Sequence, residues 1–376
     1  MINILIYLIS IALNGGEVDQ HNLKDVDFNQ MYKVSKFHNL SAMVYMVLED
    51  CHHIPIEIQK QWEEDKNKSI RKIMLLDAER SILCNFMEKS DIWHIPLKGC
   101  IIKDIYPKIG MREMADNDIL YDPIYQDTMK KFMVSRDYSA IVGKGVHDAY
   151  YKPPIYNIEL HTSLFGIGAP KEIVNYYKNI KDKLIKDDDS QYAYHFTDED
   201  FYVYLVAHAF KHYNNGGMGI RYLVDCFVYL REKTKLDWHY IEIQLEKTAL
   251  TTFENQCRVL SKKLFETPRI TMELSEKEQT MLSYFYGAGT YGTIENYMHN
   301  EMKKIQGNKG NITNATKMQY YFRRIFPKYE WFKSSHPFLY KNKYFIPIFC
   351  VYRLGKNIIL KSKKIKKEIR IINRMI

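Results

Sequence analysis

Only one stretch of this chain reads as β structure. Between Asp91 and Leu164 lie a short β-prone run, Asp91 to Leu97, then Asp116 to Tyr121 (DNDILY), a hairpin candidate around Gly143-Lys144-Gly145, and Ile155 to Leu164 (IYNIELHTSL). On both sides the pattern is helical. Met31, Val34, Phe37, Leu40, Val44 and Val47 recur at three- or four-residue spacing within Asn29 to Glu49, and Ile70, Ile73, Leu76, Leu83 and Met87 do the same within Trp62 to Met87. Thr197 with Asp198-Glu199-Asp200 resembles a helix N-cap and an acidic first turn, and the chain then stays helical to about Thr267. A small sheet between two helical regions predicts the α+β class. The expected domains are an N-terminal helical region over 1–90, a sheet domain over 91–196 and a C-terminal helical domain over 197–376.

A chain of 376 residues, 46% hydrophobic and 26% charged, with 17 Gly and 11 Pro, has material for a substantial core, which excludes the collagenous, disordered and multi-span membrane classes. The six cysteines, Cys51, Cys84, Cys100, Cys226, Cys257 and Cys350, form no C-x-x-C pair and fit packing roles in a reducing compartment such as the cytoplasm. The apolar opening Met1 to Leu13 lacks a Lys/Arg n-region and an A-x-A-like site before Asn14-Gly15-Gly16. As a helix it would span about 20 Å against a hydrocarbon core of ~30 Å. It is therefore expected as a buried first helix.

The formal charge of +9 is unevenly placed. Lys317 to Ile376 holds 16 Lys/Arg against two acids, Glu330 and Glu368, a net +14 that leaves residues 1–316 at −5. Such a segment either meets a phosphate-rich partner (nucleic acid, nucleotide or an anionic membrane face) or is a solvated lysine face. The last helix, expected over Lys356 to Ile376, sets Ile358, Ile365, Ile369, Ile372 and Ile376 on one stripe and Lys361, Lys363, Lys364, Lys366, Lys367 and Arg370 elsewhere. Three readings stand: it lies on an anionic membrane, binds nucleic acid, or packs on the protein.

Chemistry concentrates in the β-rich window. In a strand, residues i and i+2 share a face, so Asp116 and Asp118 would present two carboxylates side by side. Like charges that close are unfavourable unless a cation lies between them, and hard oxygen ligands at this spacing suit Mg²⁺. Glu159, among β-branched and aromatic neighbours, would supply a third carboxylate and complete a two-metal clamp. His161, on the same strand face, either orients a ligand or packs against a carbonyl. Upstream, Ile95-Pro96-Leu97-Lys98-Gly99-Cys100 reads as strand, tight turn and helix start, where free N–H groups, a glycine and a lysine could meet a phosphate. His208 and His212 share a helix face at i and i+4, as in some zinc sites, but no Glu follows the first and no third ligand has an obvious spacing.

In order along the chain stand Leu97-Lys98-Gly99, Tyr106-Pro107, Arg112, Asp116-x-Asp118, Ile158-Glu159-Leu160-His161, Ala207-His208 through Lys211-His212, and Gly219-Ile220-Arg221 through Asp225. This series resembles the uncharacterised bacterial nucleotidyltransferase family of the polymerase-β superfamily, in which a Leu-Lys-Gly turn stands where better-known relatives carry Gly-Ser. The resemblance runs from the first helix to Trp238, and Tyr320 to Arg353 is similar to the family's tail. It implies a small mixed nucleotidyltransferase sheet, with Asp116, Asp118 and Glu159 as ligands of two Mg²⁺ or Mn²⁺ ions. Lys98, Gly99 and Arg112 would stand at the triphosphate of an NTP, with Lys211 and Arg221 reaching the phosphates from the helical domain. Arg221 and Asp225 also share a helix face and could pair with each other. One departure is Asn117, where the family usually has an aliphatic core residue, and which must find hydrogen-bond partners.

The implied reaction moves a nucleoside monophosphate from an NTP to the hydroxyl of an acceptor, which is a small molecule, a glycan, RNA or a protein. The alternatives are a catalytically degenerate fold that binds nucleotide or RNA, and a toxin-like enzyme modifying RNA or protein.

Overall fold

The computed structural model describes residues 1–141, 146–166, 168–307, 313–327, 329, 331–332, 336–360 and 362–374. The opening run forms α1 (Ile2–Asn14), in which every residue from Leu5 to Leu13 is buried, as its composition requires. The single stripe expected over 29–49 is instead two helices, α2 (Phe28–Phe37) and α3 (Ser41–Leu48). Asn39 between them has φ 53°, a left-handed geometry that Asn tolerates and that ends a helix. The break buries His38, whose Nδ1 accepts a hydrogen bond from the Ile220 N–H at 3.4 Å. Next comes α4 (Ile56–Lys89), about 51 Å of helix at 1.5 Å per residue, which buries Trp62, Ile73, Leu76, Leu83 and Met87.

The sheet domain follows as β1 (His94–Pro96), α5 (Gly99–Ile102), β2 (Asn117–Tyr121), α6 (Gln126–Ser135), β3 (Ser139–Ile141), β4 (His147–Lys152) and β5 (Tyr156–His161). The strand order is β1-β2-β5-β4-β3, with β2 and β5 parallel and every other neighbouring pair antiparallel. β3 and β4 pair on either side of the expected Gly143-Lys144-Gly145 turn, which lies outside the described residues. Alternation then sorts the side chains. Ile119, Tyr121, Tyr150, Ile158 and Leu160 join Leu83 and Met87 of α4 and Met129 and Met133 of α6 in one apolar cluster. Asp118, Glu159 and His161, of the opposite parity, are left to the other face.

After α7 (Lys171–Tyr176) and a two-stranded ribbon, β6 (Ile185–Lys186) with β7 (Tyr194–His195), the chain is helical: α8 (Asp198–Asn215), α9 (Arg221–Glu232), α10 (Trp238–Lys247), α11 (Thr251–Phe265) and α12 (Glu276–Ala288). Thr197 caps α8, its Oγ1 accepting from the Asp200 N–H at 3.0 Å.

The described residues form two compact units, 1–210 with 218–290 and 211–217 with 291–376. The N-terminal helices, the sheet and the helices to residue 290 share one unit because α1 packs against α11, with the buried Ser10 hydroxyl donating to the Phe265 carbonyl at 3.0 Å. The second unit holds α13 (Ile294–Gln306), α14 (Asn314–Ile325), α15 (Pro337–Lys341), α16 (Ile346–Leu360) and α17 (Ser362–Arg374). The helix expected from Lys356 falls within α16 and α17, described on either side of Lys361. Ile371 and Ile372 of α17 pack on Met298, Met302 and Tyr320, and Arg324 pairs with Glu368 at 3.0 Å, while Lys366, Lys367 and Arg370 stay exposed. Lys361 and Ile376, with the side chains of Ile358, Lys363 and Lys364, lie outside the described residues. Among the described residues no helix is long and apolar enough to cross a membrane, and all six cysteines are free.

Candidate active site

Asp118 and Glu159 are register partners on the parallel strands β2 and β5, and His161 stands opposite His147 of the antiparallel β4. The pairing places four polar side chains on one face of the sheet, opposite its apolar cluster. Asp118 Oδ1 accepts a hydrogen bond from Lys98 Nζ at 2.7 Å and lies 2.7 Å from His161 Nε2. Glu159 Oε2 is 3.6 Å from both His161 Nε2 and His147 Nε2. His147 was not among the expected site residues. The only signal for it in the sequence is antiparallel pairing across the Gly143-Lys144-Gly145 turn, which needs a register to become specific.

Asp116 lies just before β2, partly buried. Burial, and then the charges of Asp118 and Glu159, push its carboxyl up to about 7. Asp118 goes the other way. Burial would raise it, but Lys98 and then His161 outweigh burial and hold it well below the usual carboxylate range. The His161 imidazole likewise lowers the Glu159 carboxyl. The Lys98 ammonium is held charged: burial opposes it, and Asp118 with Tyr204 and Asp116 together more than offset that burial.

The Leu97-Lys98-Gly99 turn is tied to the site by the Leu97 N–H, which donates to the Asp118 carbonyl at 2.9 Å. Lys98 has φ 48° and ψ −116°, backbone that glycine adopts without penalty and lysine does not. The helix that Gly99 opens is a single turn, followed by a 3₁₀ turn over Lys103–Ile105. A Cβ at Gly99 would stand 2.5 Å from Arg112 Nη1 and 2.9 Å from Met114 Sδ. The absent side chain thus makes room for Arg112.

Arg112, expected at the triphosphate, is committed elsewhere. Its Nε and Nη2 donate to Asp225 Oδ1 and Oδ2 at 2.8 and 2.9 Å, a buried bidentate pair, and the Tyr106 hydroxyl donates to the same Oδ1 at 2.5 Å. The planar guanidinium of Arg112 matches the carboxylate with two parallel bonds. Arg221 Nη1 donates to the Glu113 carbonyl at 3.0 Å, and its charge favours ionised Asp116. His208 packs its ring 6.2 Å from that of Tyr204. Lys211 and His212 belong to the second unit. Asn117 is fully buried and satisfied, its Nδ2 donating to the Leu76 carbonyl at 2.7 Å and its Oδ1 accepting from Arg80 Nη1 at 3.3 Å.

The residues present fit a divalent cation. Asp118 and Glu159 face each other in register, Asp116 adds a third acid whose ionisation the other two oppose, and a cation relieves that repulsion. His147 Nδ1 and His161 Nδ1 are buried and make no hydrogen bond among the described residues.

The profile of a family described as an uncharacterised nucleotidyltransferase matches residues 24–266, a span that includes Lys98, Gly99, Asp116, Asp118, Glu159 and Arg221. No curated protein and no solved structure matches the chain. On the profile match, over more than half of its length, the chain belongs to the uncharacterised nucleotidyltransferase family.

Proposed function

We propose that the chain is a Mg²⁺-dependent nucleotidyltransferase of the polymerase-β type that moves a nucleoside monophosphate from an NTP to an acceptor hydroxyl. The observation that carries this reading is the in-register pairing of Asp118 with Glu159 beside Lys98. In the reaction the acceptor oxygen bonds the α-phosphorus, the α–β phosphoanhydride bond breaks, and pyrophosphate leaves. Such chemistry is mostly positioning and charge neutralisation.

Asp116, Asp118 and Glu159 are the residues that would hold two Mg²⁺ or Mn²⁺ ions. When bound, ions in such a site neutralise phosphate charge and favour the attacking alkoxide. Lys98 supplies a fixed ammonium at the edge of the carboxylates, and Gly99 keeps the turn narrow. Arg221 is assigned to the phosphates. Arg112 acts as a positioning residue, holding the segment before β2 through Asp225. The exposed Lys366, Lys367 and Arg370 of α17 would meet an anionic acceptor or surface, and six free cysteines suit a reducing cytoplasm.

The test is incubation of the purified chain with each α-³²P-labelled NTP, Mg²⁺ and, as acceptor source, a metabolite and RNA extract. Transfer of label with release of pyrophosphate, abolished by chelation, supports the reading. NTP binding without any transfer would assign the chain to the nucleotide-binding alternative.

A further inference from the structure

We propose that His147, Glu159 and His161 form a site for a transition-metal dication such as Zn²⁺ or Co²⁺, in preference to Mg²⁺. Each residue brings one ligand atom, and these atoms all lie within 4.8 Å of one another. Glu159 Oε2 stands 3.6 Å from each imidazole Nε2. A hydrogen bond between imidazole and carboxylate would be about 2.7–3.0 Å, so these separations are too long for bonding among the three. Metal–ligand bonds of about 2.0–2.2 Å place neighbouring donors roughly 3.0–3.5 Å apart in octahedral or tetrahedral sites. The two edges at Glu159 are within a few tenths of an ångström of that, and the third lies within 4.8 Å.

The frame is rigid. His147 opposes His161 in the antiparallel ladder, and Glu159 follows on the same face of β5. The two imidazoles are inclined at 45° with centroids 4.9 Å apart, so they do not stack. His161 Nε2 is hydrogen-bonded to Asp118 Oδ1 at 2.7 Å, a bond that a metal on Nε2 would replace. His147 and Glu159 are 36% and 24% exposed, which leaves an entry path, while His161 at 5% anchors the site.

The ion class follows from the donors. Mg²⁺ takes oxygen ligands in near-ideal octahedra and holds its water, whereas imidazole nitrogen favours the later first-row dications and Zn²⁺. The inference rests on the reading of Glu159 as a metal ligand given under the proposed function. It adds two imidazoles that an all-carboxylate site would not contain.

The experiment titrates metal-free protein with Zn²⁺ by calorimetry and with Co²⁺ by visible absorption, without NTP, for the wild type, His147→Ala, His147→Gln and Glu159→Gln. Circular dichroism checks that each variant is folded. The expected result is one Zn²⁺ per chain, a Co²⁺ d–d band in the wild type, and affinity lowered about 10- to 100-fold in each variant, with millimolar Mg²⁺ failing to displace Zn²⁺. Zn²⁺ affinity indifferent to both His147 variants, or Zn²⁺ displaced by equimolar Mg²⁺, overturns the proposal. Mg²⁺-supported nucleotidyl transfer, measured in parallel on the wild type, separates the two ideas. Transfer with His147-independent Zn²⁺ binding sinks the metal proposal alone. His147-dependent Zn²⁺ binding with no transfer supports it and sinks the proposed reaction alone.

Discussion

Lys98 Nζ sits 2.7 Å from Asp118 Oδ1, so the cation nearest this buried carboxylate is one the chain itself supplies. The same lysine was read from the sequence as a phosphate ligand. Both roles follow if the ammonium is an internal counter-ion that leaves Asp118 for the phosphates when a divalent cation arrives with the nucleotide. Lys98→Met should then raise Mn²⁺ affinity about tenfold, because Asp118 loses a competitor, while lowering NTP affinity. Mn²⁺ binding by paramagnetic resonance and NTP binding by calorimetry read the two separately. A fall in both affinities would contradict this exchange.

The backbone at Lys98 gives a second expectation. Its φ of 48° strains an L-residue by about 1 kcal/mol and leaves glycine unstrained. Lys98→Gly should be more stable than Lys98→Ala by about that amount in denaturant unfolding, although both lose the ammonium. Gly99→Ala should destabilise by about 1–3 kcal/mol, since the new Cβ drives Arg112 and Met114 from their places.

Arg112→Ala would strand Asp225, buried and bonded to the Arg112 guanidinium and the Tyr106 hydroxyl. Breaking such a pair from one side costs about 3–5 kcal/mol. The replacement of both partners, Arg112→Met with Asp225→Leu, should recover much of the loss in thermal melts. A residue acting directly on phosphate would instead leave stability nearly unchanged when truncated.

His38 makes one pH-dependent contribution to stability, opposite in sign to that of Asp116, whose carboxyl is pushed up to about 7. Burial pushes the His38 imidazole down to about 4 from an ordinary 6.5, so between these values the unfolded chain binds the extra proton and the native chain does not. The contribution is complete above pH 6.5, falls by up to about 1.4 kcal/mol per pH unit on acidification to pH 4, and changes no further below that. His38→Gln should remove this contribution, so that the wild type loses more stability than the variant between pH 7 and pH 4.5, as read from urea midpoints of both proteins. An identical slope in the variant would assign the acid sensitivity to other groups.

The site was partly legible because strand alternation is local. Asp118, Glu159 and His161 follow from a period of two within short runs, and Thr197 and the burial of α1 follow from composition alone. What alternation could not supply was the partner across the ladder. His147 needs the register of β4 on β5, and Arg112 needs the approach of Asp225, 113 positions away. Gly99 was read as backbone making way for a phosphate, and its neighbour is a guanidinium. The stripe over 29–49 hid the break at Asn39 because the three- and four-residue spacing continues across it, although Phe37 at the end of α2 is exposed.

The central claim, that the carboxylates paired across β2 and β5 run nucleotidyl transfer, is tested most directly by pyrophosphate release from NTP in Mg²⁺ with the acceptor extract, comparing the wild type with Asp118→Asn and Glu159→Gln. The account predicts release by the wild type with at least one NTP, its loss on chelation, and a fall of at least about 10³-fold in each variant, equivalent to some 4 kcal/mol of transition-state stabilisation. Release that persists in folded Asp118→Asn, or that ignores chelation, would contradict it.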